Sequence, residues 1–177
     1  MRRSGVLLPV TSLPSRFGIG TFSKEAYAFV DFLSEAGQKL WQILPLGPTG
    51  YGDSPYQAFS TFAGNPYLID LEELIENGWL TEEECENTDW GGSKSYVDYE
   101  KMYQGRFPLL HKAYHNSHIA ENAEFIAFCE ENDWWLSDYA LFMAIKDSQG
   151  GASFLEWDAP LKLREPEAIR RCRHELS

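Results

Sequence analysis

The chain has 177 residues, of which 44% are hydrophobic and 15% aromatic, so it can bury a sizeable core and is not a disordered segment. With a formal net charge of −12, the chain lacks the basic surface of a nucleic-acid-binding protein, and anionic lipid would repel it. No apolar run is long enough to span a bilayer, and three widely spaced cysteines predict no disulfide framework, so we expect a cytoplasmic protein that binds neither nucleic acid nor membrane.

The first 66 residues predict one strand–helix–strand unit of an α/β fold. Continuous apolar runs at 6–10 and 40–44 have the pattern of strands buried on both faces. Between them, Ser23 is a predicted N-cap for a helix that ends before Gly37. Strand, helix and strand within roughly 40 residues fit a parallel crossover connection.

Each predicted strand leads into a long loop rich in polar residues, glycine and proline, at 11–20 and 47–66. In parallel α/β proteins the loops after the carboxyl ends of the strands hold the ligand, so we expect both loops on the functional face. The second loop mixes tyrosines with small polar side chains, which suits a pyranose that stacks on a ring while its hydroxyls form hydrogen bonds. A structural loop whose tyrosines pack inward is the alternative.

After Pro66 the pattern becomes helical. Capping boxes begin at Asp70 and Thr81, and a last amphipathic helix starts near Pro166. Pro108 should end or kink the first of three longer helices. These three are predicted at 99–114, 119–131 and 133–147.

Only one strand–helix–strand unit is legible in the sequence. A closed eight-stranded α/β barrel needs roughly 250 residues, and a two-stranded parallel sheet would neither close nor cover itself. We therefore expect the chain to be part of a larger protein.

The most specific motifs lie at 4–15 and 18–20, at 41–56 with its run Gly-Tyr-Gly-Asp-Ser-Pro-Tyr, and at 65–70, with weaker ones at 97–99 and 135–142. Together they resemble glycoside hydrolase family 77, the 4-α-glucanotransferases. The resemblance implies that residues 1–66 supply the first strand–helix–strand portion of a (β/α)8 TIM-type barrel with sugar-contacting loops. Residues 67–177 would form a mainly helical insertion subdomain, truncated at its C terminus, and the barrel would be incomplete.

The same resemblance implies roles for four loop residues. Tyr56 matches a tyrosine that stacks on the sugar beside the scissile bond, and Ser54 matches a polar contact nearby. Tyr51 resembles an aromatic residue of an accessory glucan site. Asp53 either contacts a sugar hydroxyl or fixes its own loop through local hydrogen bonds. The implied partners are a maltodextrin or amylose substrate and the remainder of the catalytic barrel.

The reaction implied is retaining transglycosylation, in which one carboxylate attacks the anomeric carbon and a second acts as acid and then base. No segment matches the family surroundings of those carboxylates, so no catalytic residue is assigned and the chain alone is expected to be inactive. Two alternatives stay open: a non-catalytic glucan-binding or scaffold module, and a small hydrolase whose acids lie among the helices.

Metal and nucleotide sites are not predicted. His111, His115 and His118 have the spacing of one helix face, but no acidic or cysteine partner lies in register, so a solvated face is expected. The glycines at 18–20 and 50–52 lack the lysine of a phosphate-binding loop. We therefore expect neither a metal nor a cofactor.

Overall fold

The structure, a computed structural model, describes residues 2–50, 52–93 and 95–176. The chain forms two compact units, Met1–Ala120 and Glu121–Ser177. The first contains β1 (Gly5–Leu7), α1 (Lys24–Glu35), β2 (Leu40–Gln42), α2 (Leu71–Glu76), α3 (Glu82–Glu86) and α4 (Tyr99–Ser117). The second contains α5 (Ala123–Ser148), α6 (Ala159–Lys162) and α7 (Pro166–Glu175). The boundary predicted at residue 66 separates a barrel portion from an insertion, and it stays a prediction.

The predicted strand–helix–strand unit is present, with β1 and β2 paired in parallel and Val6 opposite Trp41. Both strands are shorter than predicted. The first ends at Leu7 because the chain turns into a short 3-10 helix at Val10–Ser12, and the second ends at Gln42. The burial expected from the apolar runs is not reached in this chain, since every residue of β1 is exposed.

Local signals position α1 as predicted. Ser23 is the N-cap residue, although its hydroxyl donates to Glu25 Oε2 at 2.7 Å and does not accept a backbone N–H. Gly37 follows the helix with a positive φ of 71°, the left-handed conformation that ends many helices and favours glycine.

The helical part of the first unit holds two buried clusters, and a third, of Val10, Leu13 and Ala26, lies beside α1 and the strands. Leu71, Leu80 and Cys85 pack with Phe17, which comes from the loop at 11–20. A neighbouring cluster joins Ile19, from the same loop, to Tyr67 and Met102. The loop after β1 is therefore anchored in a helical core.

Two predictions about the long helices need correction. Pro108 lies inside α4 and does not end it, since the helix continues to Ser117, where His118 takes a left-handed φ of 49° and leaves the helix; the alternative of a kink at Pro108 stays a prediction. The separate helices predicted at 119–131 and 133–147 form one helix, α5. Asn132 was expected to break it, but its Nδ2 donates to the Phe128 carbonyl oxygen one turn earlier at 2.8 Å.

The second unit has its own small core between the C-terminal half of α5 and the two helices that follow. Leu141, Ile145, Trp157, Leu161, Ala168 and Cys172 are its buried members. Across the parts of the chain that the structure describes, no helix combines the length and the apolar composition needed to cross a membrane.

Candidate functional site

The loop at 47–66 is closed at its base by backbone hydrogen bonds. Thr49 and Ala58 form an antiparallel bridge, and the Phe59 N–H donates to the Pro48 carbonyl oxygen at 3.2 Å. Asn65 N–H donates to the Leu46 carbonyl oxygen at 2.8 Å, which returns the chain to the end of β2. The loop is therefore a pinned structure, in spite of its irregular backbone.

Two consecutive turns build the tip of this loop. The Asp53 N–H donates to the Gly50 carbonyl oxygen at 3.0 Å, and the Gln57 N–H donates to the Ser54 carbonyl oxygen at 3.0 Å. Inside the second turn, the Tyr56 N–H donates to Ser54 Oγ at 3.4 Å. The Ser54 hydroxyl thus braces the backbone of Tyr56 in this chain.

The ring of Tyr56 projects from the tip and is 73% exposed. Phe62 is also exposed in the same loop. The alternative of an inward-packed loop is wrong for Tyr56, because its ring is available to a ligand that could stack on it. Tyr51, predicted as an accessory aromatic contact, lies outside the described residues.

A cavity of about 250 Å³ lies beneath the loop, beside the residues that follow both strands. Its wall includes Thr11 and Ser12 from the first predicted loop, and Thr49 and Asp53 from the second. Both loops therefore meet at one site, as expected for loops after parallel strands. Tyr99, at the start of α4, completes a polar side that the sequence pattern did not indicate.

Asp53 places its carboxyl group on the inner, polar side of the loop. Burial raises the pKa of Asp53, and a hydrogen bond with the Thr49 side chain opposes the rise. That bond is not of good geometry, because Thr49 Oγ1 is buried and has no partner at ideal distance and angle within the described residues. Both side chains line the same cavity.

Burial and the charge of the Asp53 carboxyl group raise the pKa of two tyrosines. Burial, followed by the charge of Asp53, raises the pKa of Tyr67 to about 12. Burial and then Asp53 also raise the pKa of Tyr99, and a hydrogen bond with the Thr11 side chain opposes this rise. Both phenols therefore stay protonated at neutral pH and are available as hydrogen-bond donors.

The cavity suits binding better than bond cleavage. Retaining glycoside chemistry needs two carboxyl groups about 5 Å apart. Asp53 is the one carboxylate among the described residues that line the cavity. Asn65 also lies on the wall, but its Oδ1 already accepts a hydrogen bond from the Tyr67 N–H at 3.0 Å. The hydroxyl groups of the wall can form hydrogen bonds with a polyhydroxylated ligand.

The three histidines that share one predicted helix face do not all lie on α4. His111 and His115 lie on α4, whereas His118 is past its end. Within the described ranges, no group of three or more histidine, cysteine or acidic side chains could hold a metal ion.

Comparison with known proteins shows what this chain is similar to. The family model of glycoside hydrolase family 77, described as 4-alpha-glucanotransferase, matches residues 8–177. The chain is 47% identical over 180 residues to the 4-alpha-glucanotransferase of Thermus thermophilus, covering 99% of this chain and 35% of that protein. It is 46% identical over 167 residues to the 4-alpha-glucanotransferase of Clostridium butyricum, covering 94% and 34%.

A solved structure agrees with these sequence relatives. The amylomaltase from Streptococcus agalactiae in complex with acarbose superposes with a TM-score of 0.92 at 46% identity, covering 99% of this chain and 36% of that one. The chain therefore spans about a third of the length of the relatives it matches.

Proposed function

Because this chain belongs to glycoside hydrolase family 77, the 4-alpha-glucanotransferases, we propose that it is the N-terminal, substrate-binding part of an enzyme that transfers α-1,4-glucan segments between maltodextrins. The observation that carries the proposal is the exposed ring of Tyr56 on a pinned loop, above a cavity with a polar wall. An exposed ring offers a flat surface for the C–H face of a glucose unit, and the wall offers partners for its hydroxyls.

In the proposed enzyme, residues 1–66 form the first strand–helix–strand portion of a (β/α)8 barrel. The uncovered sheet supports this part of the proposal, since Val6, Leu7 and Leu40 are exposed although their pattern is that of buried strands. The remaining strands of a barrel would cover them. The helices after residue 66 form the insertion subdomain, and a cytoplasmic location stays a prediction.

In this proposal, each loop residue makes a different contact with the glucan. Tyr56 stacks on the sugar beside the scissile bond, and Ser54 both braces Tyr56 and contacts the same sugar. Tyr51 keeps its predicted role at an accessory glucan site. These contacts hold the glucan in a reactive pose, which contributes to rate by reducing the freedom lost at the transition state.

The chemical step requires residues that this chain does not supply. Retaining transfer breaks the glycosidic bond by attack of one carboxylate, with a second carboxyl group about 5 Å away protonating the leaving oxygen. A hydroxyl of an acceptor glucan then takes the glycosyl group. We assign both carboxyl groups to the rest of the enzyme, and expect the 177-residue chain alone to be inactive.

A chimera tests the proposal directly. In it, residues 1–177 replace the matching third of the Streptococcus agalactiae amylomaltase, and disproportionation of maltotriose is followed by chromatography. We expect activity, and we expect Tyr56→Ala to lower kcat/KM roughly 10- to 100-fold, as misplacement of a reacting sugar does. Tyr96→Ala is the matched control, because its ring is 71% exposed but lies outside the loop.

Three results would contradict the proposal. The chimera could fold, by circular dichroism and thermal unfolding, and yet be inactive. Tyr56→Ala and Tyr96→Ala could have equal effects. The isolated chain could turn over maltotriose and lose this activity on substitution of one of its own acids, which would favour the small-hydrolase alternative.

A further inference from the structure

We propose that Asp53 is a positioning residue for this glucan site, and that its inward-facing side chain holds the turn that presents Ser54 and Tyr56. The inference rests on the proposed function and decides between the two roles that the sequence left open for Asp53. It assigns the residue to the inner side of the loop and not to the surface that receives the sugar.

The first observation is the backbone of the loop tip. Asp53 has a φ of +53° and follows Gly52, whose φ is +84°. Left-handed conformations are uncommon for residues other than glycine, and aspartate and asparagine adopt them most readily among the rest. The Asp53 turn is followed at once by the turn from Ser54 to Gln57. The conformation at Asp53 therefore sets the direction in which Tyr56 leaves the loop.

The second observation is the direction of the side chain. Asp53 lines the cavity together with Thr49 and Tyr99. Burial and then the charge of Asp53 raise the pKa of Tyr67 and of Tyr99, which belong to two other segments. Tyr67 is only 6% exposed and packs with Met102 in the helical core. Asp53 thus points toward a rigid wall, whereas the ring of Tyr56 points toward solvent.

The third observation concerns charge. Among the described residues no lysine or arginine forms an ion pair with Asp53, and the side chain that favours its charged form is the hydroxyl of Thr49. Arg106 opposes the rise that burial causes in the pKa of Tyr67, and it is not among the causes that shift the pKa of Asp53. A neutral side chain of the same shape should therefore replace aspartate. Asparagine meets both needs, because it tolerates the left-handed conformation and its amide can pair with hydroxyl groups.

Three substitutions in the chimera separate the contributions. Asp53→Asn keeps the turn and a polar group that can pair with the Thr49 hydroxyl, Asp53→Gly keeps only the turn, and Asp53→Ala keeps neither. We expect the asparagine variant to match the unsubstituted chimera in kcat/KM for maltotriose and in the Kd of acarbose. The glycine and alanine variants should weaken both roughly 10- to 100-fold with an unchanged Tm, because the ligand-facing residues are displaced while the fold remains.

Hydrogen exchange on the 177-residue chain provides a measurement that does not depend on the proposed function. We expect faster amide exchange at 47–66 in the glycine and alanine variants than in the asparagine variant, and unchanged exchange in α5. Equal loop exchange in all variants would overturn the inference. A glycine variant as active as the unsubstituted chimera, or an asparagine variant as impaired as alanine, would also overturn it. An inactive unsubstituted chimera with the expected exchange pattern would instead reject the proposed function.

Discussion

Two parts of the first unit differ in how they cover their apolar side chains. In the helical part, Leu71, Cys85 and Met102 are completely removed from solvent. In the strand part, β1 and β2 form a two-stranded sheet on which Leu7 and Leu40 are more than half exposed. The helical part provides most of the buried core, whereas the strand part buries a small cluster, Val10, Leu13 and Ala26, and its open sheet has a sequence suited to neighbours that are not among the described residues.

This difference explains how the loop after β1 is held in place in spite of the open sheet. The loop after β1 is fixed from the helical side, since Phe17 and Ile19 are buried in the helical clusters. Arg16 adds ion pairs with Glu82 and Glu86 of α3 at 2.6 and 2.9 Å. Exposed ion pairs contribute little to stability, so burial of the two apolar side chains provides most of the anchoring.

Truncation of one leucine in each part gives the largest expected effect. Leu71→Ala removes a fully buried side chain and should lower the free energy of unfolding by about 4 kcal/mol through lost burial and a cavity. Leu7→Ala, at a residue that is 57% exposed, should change it by no more than about 0.5 kcal/mol. Urea unfolding of the chain, followed by circular dichroism, measures both. Equal losses would show that the exposed side chains of the sheet contribute as much as the buried ones of the helical part, and would refute the comparison.

The sequence predicted the elements whose signals are local. Ser23 and Gly37 bracket α1, and Thr81 begins α3, because these signals depend on residues within one helical turn. The end of the first strand was wrong because Val10 fits a strand by its side chain, yet the loop it begins turns at once. The break between residues 131 and 133 was wrong because the Asn132 side chain donates to the Phe128 carbonyl oxygen within α5 and does not compete with the helix.

The candidate site could be predicted only in part. The loops after the two strands were expected at one site because parallel strands end at the same edge of a sheet, and both line the cavity. The surroundings of Asp53 could not be predicted. Tyr67 and Tyr99 reach it from the short helix at Pro66–Leu68 and from α4, and this approach depends on packing that no sequence spacing reveals.

A second pair of substitutions tests whether the helical part is stabilised by packing or by polar contacts. Arg106 is fully buried, its Nη2 donates to the Ile69 carbonyl oxygen, and Nε and Nη1 have no partner within the described ranges. Burial lowers its pKa to about 10, so the charge is poorly compensated. Arg106→Ala should cost about 3 kcal/mol by leaving a cavity and an unpaired carbonyl group.

Arg106→Met is the informative partner of that variant. Methionine fills most of the same volume without a buried charge, and apolar replacement of buried charges is often close to neutral, so the cost should be about 1 kcal/mol or less. The same urea titrations measure it. If methionine costs as much as alanine, the guanidinium group stabilises the helical part through its charge or hydrogen bonds, and the emphasis on packing is wrong.

The smallest expected effect compares the first residues of two helices, one in each part. Thr81 forms a reciprocal capping box, in which its Oγ1 accepts the Glu84 N–H at 3.3 Å and Glu84 Oε2 accepts the Thr81 N–H at 2.9 Å. Ser23, at the start of α1, makes no such bond.

Thr81→Ala should therefore lower the free energy of unfolding by about 1 kcal/mol. Ser23→Ala should lower the free energy of unfolding by less. The Ser23 hydroxyl accepts no backbone N–H of α1, and its partner, the Glu25 carboxylate, can form a hydrogen bond with water instead. Thr81→Ser, which keeps the capping oxygen, is the control and should stay close to the unsubstituted chain. A Ser23→Ala loss that equals that of Thr81→Ala would mean that the start of α1 is stabilised locally, and that the strand part depends less on neighbours than its exposed sheet indicates.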